Sequence, residues 1–376
     1  MIKISLPQKA EKNIWRENHM KKVLLIALCV VMAFSCIALT SCSTNEPAQS
    51  AAATSEAPAE SSAAAASDAH AGGGAKTIGV SMMTFEHPFF SDMLAQIKYM
   101  AKEAGYTVVS ADAGQDPTKQ LDDINDMIVS GVDVLFINPV DSAAIGSAVK
   151  DANDKDIPVF CIDTTADEGE LVSFVASDNK EMGRVDANKV VEALKEKNGE
   201  EKGTVLAVVY PQASSTRDRE AGFDEVMAQY PGINIEKTSP ISISSDDAYT
   251  LMQDKLSAYA TGDLDVIYSI TAPVTVGIIG AIDTAGRTDI LLVGTDEDDA
   301  IFDKMKEEDT YVLGTVVQYP TEIAKYAFEA YQSYLEGNTV DAETFVPVKA
   351  ITNSAEVDEF QQFKTDYRKE LESFYN

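Results

Sequence analysis

Short apolar strands alternate with helix-length segments twice along this chain, and this alternation limits the fold more than any other feature. Four strand-like runs lie between residues 77 and 162, and the same order recurs between 204 and 307. Strands that alternate with helices of about 10–15 residues indicate βαβ units around a parallel sheet. The strands are apolar almost throughout, as expected where helices cover both faces of a sheet. We therefore predict an α/β fold built from two similar halves.

The pattern also predicts the bounds of the elements. In the first half it predicts strands at 77–81, 106–110, 132–137 and 158–162, and helices at about 89–104, 117–130 and 142–153. In the second half it predicts strands at 204–210, 233–239, 266–270 and 290–294, and helices at 216–229, 246–260, 274–285 and 298–307. It assigns no element between 163 and 203 or after 307.

The two halves match in detail at the ends of corresponding strands. Residues 131–139 (GVDVLFINP) are similar to 262–273 (GDLDVIYSITAP), and one strand later IPVFCID is similar to ILLVGTD. Each half thus closes its fourth strand with an aspartate, Asp163 or Asp296. Ligands of open α/β sheets lie beyond the carboxyl ends of the strands, so two facing sheets would direct both carboxylates into one cleft. The alternative is that each aspartate caps the next helix or turn.

The N-terminal stretch has the pattern of a targeting signal. Lys21-Lys22 precede seventeen uncharged residues, 23–39, which is short of the roughly 20 that a membrane-spanning helix needs. The run ends in Leu39-Thr40-Ser41-Cys42, which resembles the lipobox of bacterial lipoproteins, so we predict that Cys42 receives a lipid. An uncleaved anchor is the alternative. We assign residues 1–42 to the signal peptide, and Met20 is a better start than Met1, which would make 1–19 a misassigned extension.

Composition limits the function of the rest of the chain. Residues 43–75 are rich in Ala, Ser, Glu, Pro and Gly without apolar periodicity, which predicts a flexible tether. The chain carries 30 basic and 61 acidic residues, a net charge of −31, which argues against nucleic acid or an anionic membrane surface as the main partner. Of the four cysteines only Cys161 lies beyond the tether, in a predicted strand. We expect a buried Cys161 and no disulfide in a folded part stabilised by its core.

Seven short stretches together resemble one protein family. They are PFF (88–90), INPVD (137–141), IPV (157–159), ASDN (176–179), RDREAGF (217–223), VGTD (293–296) and QYP (318–320). In this order, over about residues 76–350, they resemble the periplasmic sugar-binding proteins of ABC transporters, the ribose/galactose-type or type 1 solute-binding proteins. The resemblance implies two Rossmann-like lobes joined by a three-stranded hinge, with the ligand in the cleft between them. The lobes would comprise 76–177 plus 319–347 and 178–318 plus 348–376.

The resemblance also implies ligand contacts. Asp163 and Asp296 would accept hydrogen bonds from ligand hydroxyls, as a carboxylate can do several times over. Arg219 would donate from the second lobe in a planar fork, and Gln318 would bond the ligand from a crossover.

Two adjacent phenylalanines, Phe89 and Phe90, stand where the family stacks aromatic rings on the sugar. Neighbouring residues of a helix point about 100° apart, so both rings cannot face the same core. We therefore predict that one of them lines the cleft.

Four contact positions depart from the ribose-type pattern. Thr164 replaces an expected Arg, Thr271-Ala272 replaces an expected Asn-Asp, and His87 stands where the family often has Asn. An aromatic wall expected near Ser244 is absent. These changes predict an acidic, donor-poor pocket for another sugar, a polyol, or a ligand with extra donors such as an amine. His87 is either a cleft residue that titrates between about pH 5 and 8 or a solvated loop residue.

The predicted function is capture of a sugar or sugar-like solute outside the cell membrane and its delivery to an ABC permease. The sequence has no Walker A pattern, so the ATPase would be a separate chain. The alternative is a sensor that presents the ligand to a chemoreceptor or kinase. We expect no enzymatic activity and no catalytic residue, because no acid–base pair with distinct environments is apparent. We also expect no cofactor and no metal, since a metal site needs several converging ligands and a lone histidine is weak evidence for one. We expect a monomer that is held at the membrane by its lipid anchor alone and has no nucleic-acid partner.

Overall fold

Residues 76–375 are described by a computed structural model. The predictions for residues 1–75, which include the signal peptide, Cys42 and the tether, lie outside these described residues. Among residues 76–375, no helix is both long enough and apolar enough to cross a membrane.

Within residues 76–375 the strands form two six-stranded sheets. The strands of the first sheet are β1 (Thr77–Met82), β2 (Thr107–Asp112), β3 (Val134–Ile137), β4 (Val159–Ile162), β5 (Ser173–Ser177) and β11 (Glu343–Val346). The strands of the second sheet are β6 (Gly203–Val208), β7 (Ile233–Thr238), β8 (Val266–Ser269), β9 (Leu291–Thr295), β10 (Val312–Val317) and β12 (Lys349–Ile351).

The two sheets share one strand order. The first runs β2-β1-β3-β4-β5-β11 and the second runs β7-β6-β8-β9-β10-β12. All neighbours are parallel except β12, which pairs antiparallel with β10. The chain passes between the sheets after β5, after β10 and after β11. The α/β fold with two Rossmann-like lobes is therefore confirmed, and we call the units around the two sheets the first and second lobes.

Residues 76–375 contain ten α-helices, of which nine connect strands and the last follows β12. They are α1 (Pro88–Glu103), α2 (Pro117–Ser130), α3 (Gly146–Asn153), α4 (Asn179–Asn198), α5 (Ser214–Met227), α6 (Ser245–Ala258), α7 (Ala272–Ala285), α8 (Asp299–Met305), α9 (Pro320–Leu335) and α10 (Ser354–Glu370). A short 3₁₀ helix, Glu372–Phe374, comes after α10.

Helix α2 has the bounds that the sequence predicts. Its N-cap Asp116 accepts hydrogen bonds from the N–H groups of Thr118 and Lys119, and Pro117 occupies the first turn. Gly131 ends the helix with a φ of 80°, in the left-handed region that glycine adopts without strain. Both ends are therefore determined by local side-chain and backbone preferences.

Helix α3 begins four residues later than predicted. The side chain of Asp141 accepts hydrogen bonds from the N–H groups of Ala143 and Ala144, which holds this segment in a turn. The N–H of Ser142 donates to the carbonyl of Gln212 in the second lobe at 3.2 Å. Side-chain capping and a contact between lobes thus replace the first helical turn.

Each sheet is covered on both faces, which explains its apolar strands. In β3, Val134 and Phe136 belong to one hydrophobic cluster, whereas Leu135 and Ile137 belong to another on the opposite face. Two further clusters cover the second sheet. Cys161 is fully buried in the first lobe, as predicted for a core residue.

Two glycines allow α4 and α5 to pack with their backbones in contact. A methyl group on Gly183 would overlap the carbonyl oxygen of Arg219, and one on Gly222 would overlap the carbonyl oxygen of Lys180. Only glycine fits where two backbones approach this closely. This packing places Arg219 of α5 beside Asn179, the first residue of α4.

Candidate functional site

A cavity of about 270 Å³ lies between the carboxyl ends of the two sheets. Eight of the nine predicted ligand-binding residues line it: His87, Phe89, Phe90, Asp163, Arg219, Thr271, Asp296 and Gln318. The ninth, Thr164, does not. The topology brings these residues together, because the carboxyl ends of β4, β9 and β10 and the N-terminal ends of α1, α5 and α7 all border the cavity.

Asp163 and Asp296 have equivalent backbone conformations at the ends of β4 and β9. Their φ angles are 63° and 71°, in the left-handed region that is uncommon for residues other than glycine. Each N–H donates to the next strand of its sheet, Asp163 to Val175 and Asp296 to Val316, both at 2.8 Å. The internal repeat thus extends to the strained turn that directs each carboxylate into the cavity.

Asp163 has one carboxylate oxygen without a partner. Its Oδ2 accepts from Asn138 Nδ2 at 3.1 Å and from the Thr164 hydroxyl at 3.0 Å. Its Oδ1 is buried and has no hydrogen-bond partner among residues 76–375. Burial raises the pKa of Asp163 to about 6, although the positive charge of Arg219 opposes this rise. Asp163 therefore presents a fixed, unsatisfied acceptor to the cavity.

Asp296, in contrast, is tied to neighbouring side chains. Its Oδ2 accepts from Arg219 Nη1 at 2.9 Å, and its Oδ1 accepts from Gln318 Nε2 at 2.6 Å. Arg219 also donates to the Asn179 side chain at 2.8 Å and to the Ile270 carbonyl at 3.0 Å. Burial alone would lower the pKa of Arg219, but the carboxylates of Asp296 and Asp163 outweigh it and raise that pKa. The charge of Asp296 is thus balanced within the protein.

His87 caps α1 and faces the cavity. Its Nδ1 accepts from the N–H of Phe89 at 3.3 Å. Burial lowers the pKa of His87, which favours the neutral ring. Because an N–H can only donate, Nδ1 must be the unprotonated nitrogen, so the neutral ring carries its proton on Nε2. This Nε2 is buried without a partner among the described residues, so the histidine is a cavity donor instead of a solvated loop residue.

Two further polar atoms face the cavity without a partner within residues 76–375. The hydroxyl of Thr271 is buried and makes no hydrogen bond, even though Thr271 stands at the N-cap of α7. Gln318 donates its amide N–H to Asp296, so its carbonyl oxygen Oε1 is turned the other way and is left unsatisfied. Buried polar groups normally have partners, so each such atom requires an explanation.

The apolar walls of the cavity differ between the lobes. Phe89 and Phe90 both line it, with ring centroids 5.2 Å apart and planes at 89°. We predicted that one ring would line the cleft, whereas both do. Phe89 also packs in the first-lobe core. Ile243 and Val276 line the second-lobe side. The wall is therefore aromatic on one side and aliphatic on the other.

Direct contacts join the lobes beside the cavity. Ser214 accepts from the N–H of Thr165 at 2.8 Å and donates its own N–H to the Ser142 hydroxyl at 3.0 Å. The hydroxyls of Thr164 and Ser215 lie 2.9 Å apart. Thr164 therefore positions Asp163 and contacts the opposite lobe instead of lining the cavity. These bonds link the two lobes directly at the edge of the cavity.

Sequence reasoning missed three polar residues around the site. Asn138 lies in a stretch that carried the family resemblance, yet its bond to Asp163 depends on the pairing of β3 with β4. Asn179 orients Arg219 across the helix pair. Glu297 is buried behind Asp296, and burial raises its pKa to about 8. The sequence signal that could have indicated Glu297 is its position next to Asp296, directly after the buried strand β9. No group of three or more potential metal ligands occurs within residues 76–375.

Comparisons with known proteins agree with this geometry. The family described as periplasmic binding protein domain matches residues 78–339. The ribose import binding protein RbsB of Bacillus subtilis is 31% identical over 330 residues, which cover 87% of this chain and 98% of that protein. Its Escherichia coli counterpart is 30% identical over 276 residues, which cover 73% and 90%.

Solved structures share the fold. A Mycobacterium smegmatis ABC transporter solute binding protein with bound glycerol has a TM-score of 0.69 at 26% identity, with 76% of this chain and 96% of that chain covered. The binding protein of the Shewanella arabinose ABC transporter, bound to L-arabinofuranose, also has a TM-score of 0.69 at 26% identity, with 79% and 98% covered. A fructose binding periplasmic domain of a hybrid two component system has a TM-score of 0.70 at 22% identity, with 80% and 99% covered, which shows the fold alone.

Proposed function

The chain belongs to the periplasmic binding protein domain family, and from this premise we propose that it captures a neutral sugar or polyol for an ABC transporter. The relatives named above are import binding proteins for ribose, and solved structures of similar fold hold glycerol and arabinose. The single observation that carries the proposal is a set of four polar atoms that have no partner within residues 76–375 and surround one cavity between the lobes.

These four atoms match a compound with several hydroxyl groups. Asp163 Oδ1 and Gln318 Oε1 are acceptors, His87 Nε2 is a donor, and the Thr271 hydroxyl can act as either. Each hydroxyl of a sugar both donates and accepts, so one molecule can satisfy all four. The aromatic wall suits the apolar face of a sugar ring. The cavity of about 270 Å³ is at the small end for ligand sites, which favours a single sugar unit or a short polyol.

The charge balance favours a neutral ligand over an amine. Asp296 is paired with Arg219 at 2.9 Å, which leaves Asp163 as the one unpaired carboxylate among the predicted contacts. The pKa of Asp163 is raised to about 6 by burial, and Arg219 lies near enough to repel a second cation. The sequence predicts an acidic, donor-poor pocket. In the structure the Arg219–Asp296 ion pair reduces the negative charge of this pocket, and His87 supplies a donor.

Ligand capture would occur by hinge closure. His87, the two phenylalanines and Asp163 lie on the first lobe, Arg219 and Thr271 on the second, and Gln318 at a crossover. A ligand that bonds both sides stabilises the closed state over the open one, because only the closed state offers all contacts at once. We propose lobes of 76–177 plus 319–347 and 178–318 plus 348–376.

The cellular setting is part of the proposal. A lipid on Cys42 would hold the protein outside the cytoplasmic membrane, and residues 43–75 would give the binding unit reach toward a permease. The protein would act as a monomer with a separate ATPase. Replacement of Cys42 by Ala should abolish incorporation of a labelled fatty acid into the protein, whereas an uncleaved anchor would predict no labelling of the parent either.

The test is a binding screen against pentoses, hexoses, short polyols and the corresponding amino sugars. Thermal unfolding is a suitable readout, since a ligand at 100 times its Kd adds about 2.7 kcal/mol to the free energy of unfolding. We expect one neutral compound to bind and its amino analogue to bind more weakly. Preference for the amine would contradict the charge argument. Loss of uptake of that compound in a deletion strain separates transport from sensing, in which uptake would persist and a response would be lost.

A further inference from the structure

The C-terminal helix α10 begins as part of the second lobe. Val357 and Phe360 are buried in the second-lobe core. The ring of Phe360 lies 5.9 Å from that of Phe302 and 6.0 Å from that of Tyr319 at the crossover. The first turns of α10 would therefore move with the second lobe.

The end of the same helix contacts the first lobe. The carboxylate of Asp92 on α1 accepts from Tyr367 Oη at 2.5 Å, from Arg368 Nη2 at 2.9 Å and from Tyr375 Oη at 2.8 Å. The Arg368 Nε also lies 3.1 Å from Oδ1. The ring of Phe374 packs 5.5 Å from that of Tyr99 on α1. The segment 348–376 was predicted to belong to the second lobe alone, but its residues 367–375 contact the first lobe.

Asp92 is unusual for a helix carboxylate because it is 1% exposed and both of its oxygens are occupied. A carboxylate this deeply buried depends on charge-assisted partners, and here all of them come from one segment, residues 367–375. Separation of α10 from α1 would leave a buried charge unpaired. The contact is therefore strong while the lobes stay in this arrangement and is lost when α1 moves away from α10.

The contact also lies next to the ligand cavity. Asp92 lies in the second turn of α1, whose first turn holds the two phenylalanines of the aromatic wall and whose N-cap is His87. Movement of α1 relative to the second lobe would therefore change the distance between these groups and Thr271 or Asp296. Residues 367–375 thus contact the helix that carries three of the eight predicted ligand-binding residues of the cavity.

We propose that residues 367–375 form a strap, a fourth connection between the lobes that favours closure and slows ligand release, with Asp92 as its positioning residue. The strap would act alongside the three crossovers of the chain. This proposal rests on the hinge closure proposed above. The strap would shift the equilibrium between open and closed lobes whether or not a ligand is bound.

The test compares Asp92→Asn with Glu359→Gln in the full chain. Glu359 lies on α10 and pairs with Lys349 of β12 at 3.0 Å. Both residues belong to the second lobe, so loss of this ion pair should not affect closure. Nitroxide labels on non-canonical side chains at the exposed positions Val129 and Ile241 report the distance between lobes by electron spin resonance. We expect longer distances for ligand-free Asp92→Asn than for the parent and Glu359→Gln. With a ligand from the screen, its dissociation rate should rise about tenfold.

The possible results distinguish failure of the strap from failure of the proposed sugar capture. Equal distance distributions in Asp92→Asn and Glu359→Gln would overturn the strap, whether or not a ligand binds. A shift in distance without any ligand in the screen would support the strap and count against the proposed sugar capture. If Asp92→Asn does not fold, Tyr367→Phe combined with Tyr375→Phe keeps the Arg368 pair and should show a smaller shift in the same direction. No shift in that variant would also overturn the strap.

Discussion

Asp163 and Asp296 occupy equivalent places in two copies of one pattern, yet the protein uses them differently. Asp296 is held by Arg219 and Gln318, whereas Asp163 keeps Oδ1 free for the cavity. The strand pattern located both residues, since it depends only on apolar runs and on the residue directly after each run. It could not distinguish them, because Arg219 is 77 residues from Asp296 in sequence and reaches it through the packing of α4 with α5.

The variant Asp163→Asn tests the free oxygen. The asparagine carbonyl can keep the bonds from Asn138 and Thr164, so the change is confined to the atom that faces the cavity. We expect a loss of affinity of about 10–100-fold at about pH 7.5, the usual effect of one hydrogen bond to a charged group. Asp254→Asn, on the exposed face of α6, is the matched control and should bind normally. Isothermal titration calorimetry measures both.

The same residue predicts how affinity depends on pH. A ligand hydroxyl donates to the ionised carboxylate, and protons compete with it below the pKa of about 6. Affinity of the parent protein should therefore fall about tenfold between about pH 7 and pH 5, and that of Asp163→Asn should change little. A parent profile that stays flat over this interval would show that Asp163 does not bind the ligand as a carboxylate.

Stability should move in the opposite direction to affinity. A pKa raised from 3.8 means that the folded state binds this proton more tightly, so the contribution of Asp163 is present near pH 4 and is lost as pH rises through about 6. Ligand-free Asp163→Asn should consequently be more stable than the parent above pH 6, by about 1–3 kcal/mol. Urea unfolding at about pH 4.5 and pH 7.5 gives this difference.

At the scale of elements, the sequence predicts best where capping and periodicity are local. Helix α2 has its predicted bounds because Asp116, Pro117 and Gly131 determine both ends. Helix α3 starts late because a contact between lobes competes for its first turn. The pattern does not predict strands β5 and β10 or the helices after them, since they lie outside the four-strand repeat.

The glycine contact between α4 and α5 is an element-scale feature with a testable effect. In Gly222→Ala, the new methyl group would overlap the carbonyl oxygen of Lys180, so α5 must shift and carry Arg219 with it. We expect a loss of stability of about 1–3 kcal/mol and weaker ligand binding. Gly280→Ala on α7 is the control, because its methyl group meets Tyr249 at 3.4 Å, an ordinary contact. It should be neutral or stabilising by up to about 1 kcal/mol. Equal behaviour of the two variants in urea unfolding would show that α5 adjusts freely.

For the whole molecule, the crossovers decide how the lobes are coupled, and they bring a titratable group to the hinge. Glu297 is 3% exposed, and the N–H of Gln318 at the second crossover lies 3.4 Å from its Oε2. The repeat and the family resemblance predicted two lobes and a crossover between them near Gln318. The contact of α10 with α1 was not predicted, because nothing in the local pattern around Asp92 indicates a partner 275 residues later.

Glu297 should make the stability of the whole protein depend on pH. Burial raises its pKa from 4.5 to about 8, so the stability it contributes is complete below pH 4.5 and is lost as pH rises through about 8. Glu297→Gln should therefore gain stability relative to the parent between about pH 5 and pH 9, by about 2–4 kcal/mol. Glu329→Gln, exposed on α9, should show no such gain. Thermal unfolding across this pH range measures the gain, and parallel stability curves for Glu297→Gln and the parent would rule out the raised pKa of Glu297.

The return of the chain to the first sheet has a consequence for how the protein is made. Strand β11 is the last strand of that sheet, and Phe328 and Tyr331 of α9 are fully buried in its core. A ribosome must therefore release residues up to 346 before the first lobe can close its core, although synthesis of that lobe began some 270 residues earlier. Neither lobe can complete itself on the nascent chain until translation is nearly over. If the protein is exported unfolded to the location proposed above, this order of assembly keeps both lobes incomplete until the C-terminal strands have been made.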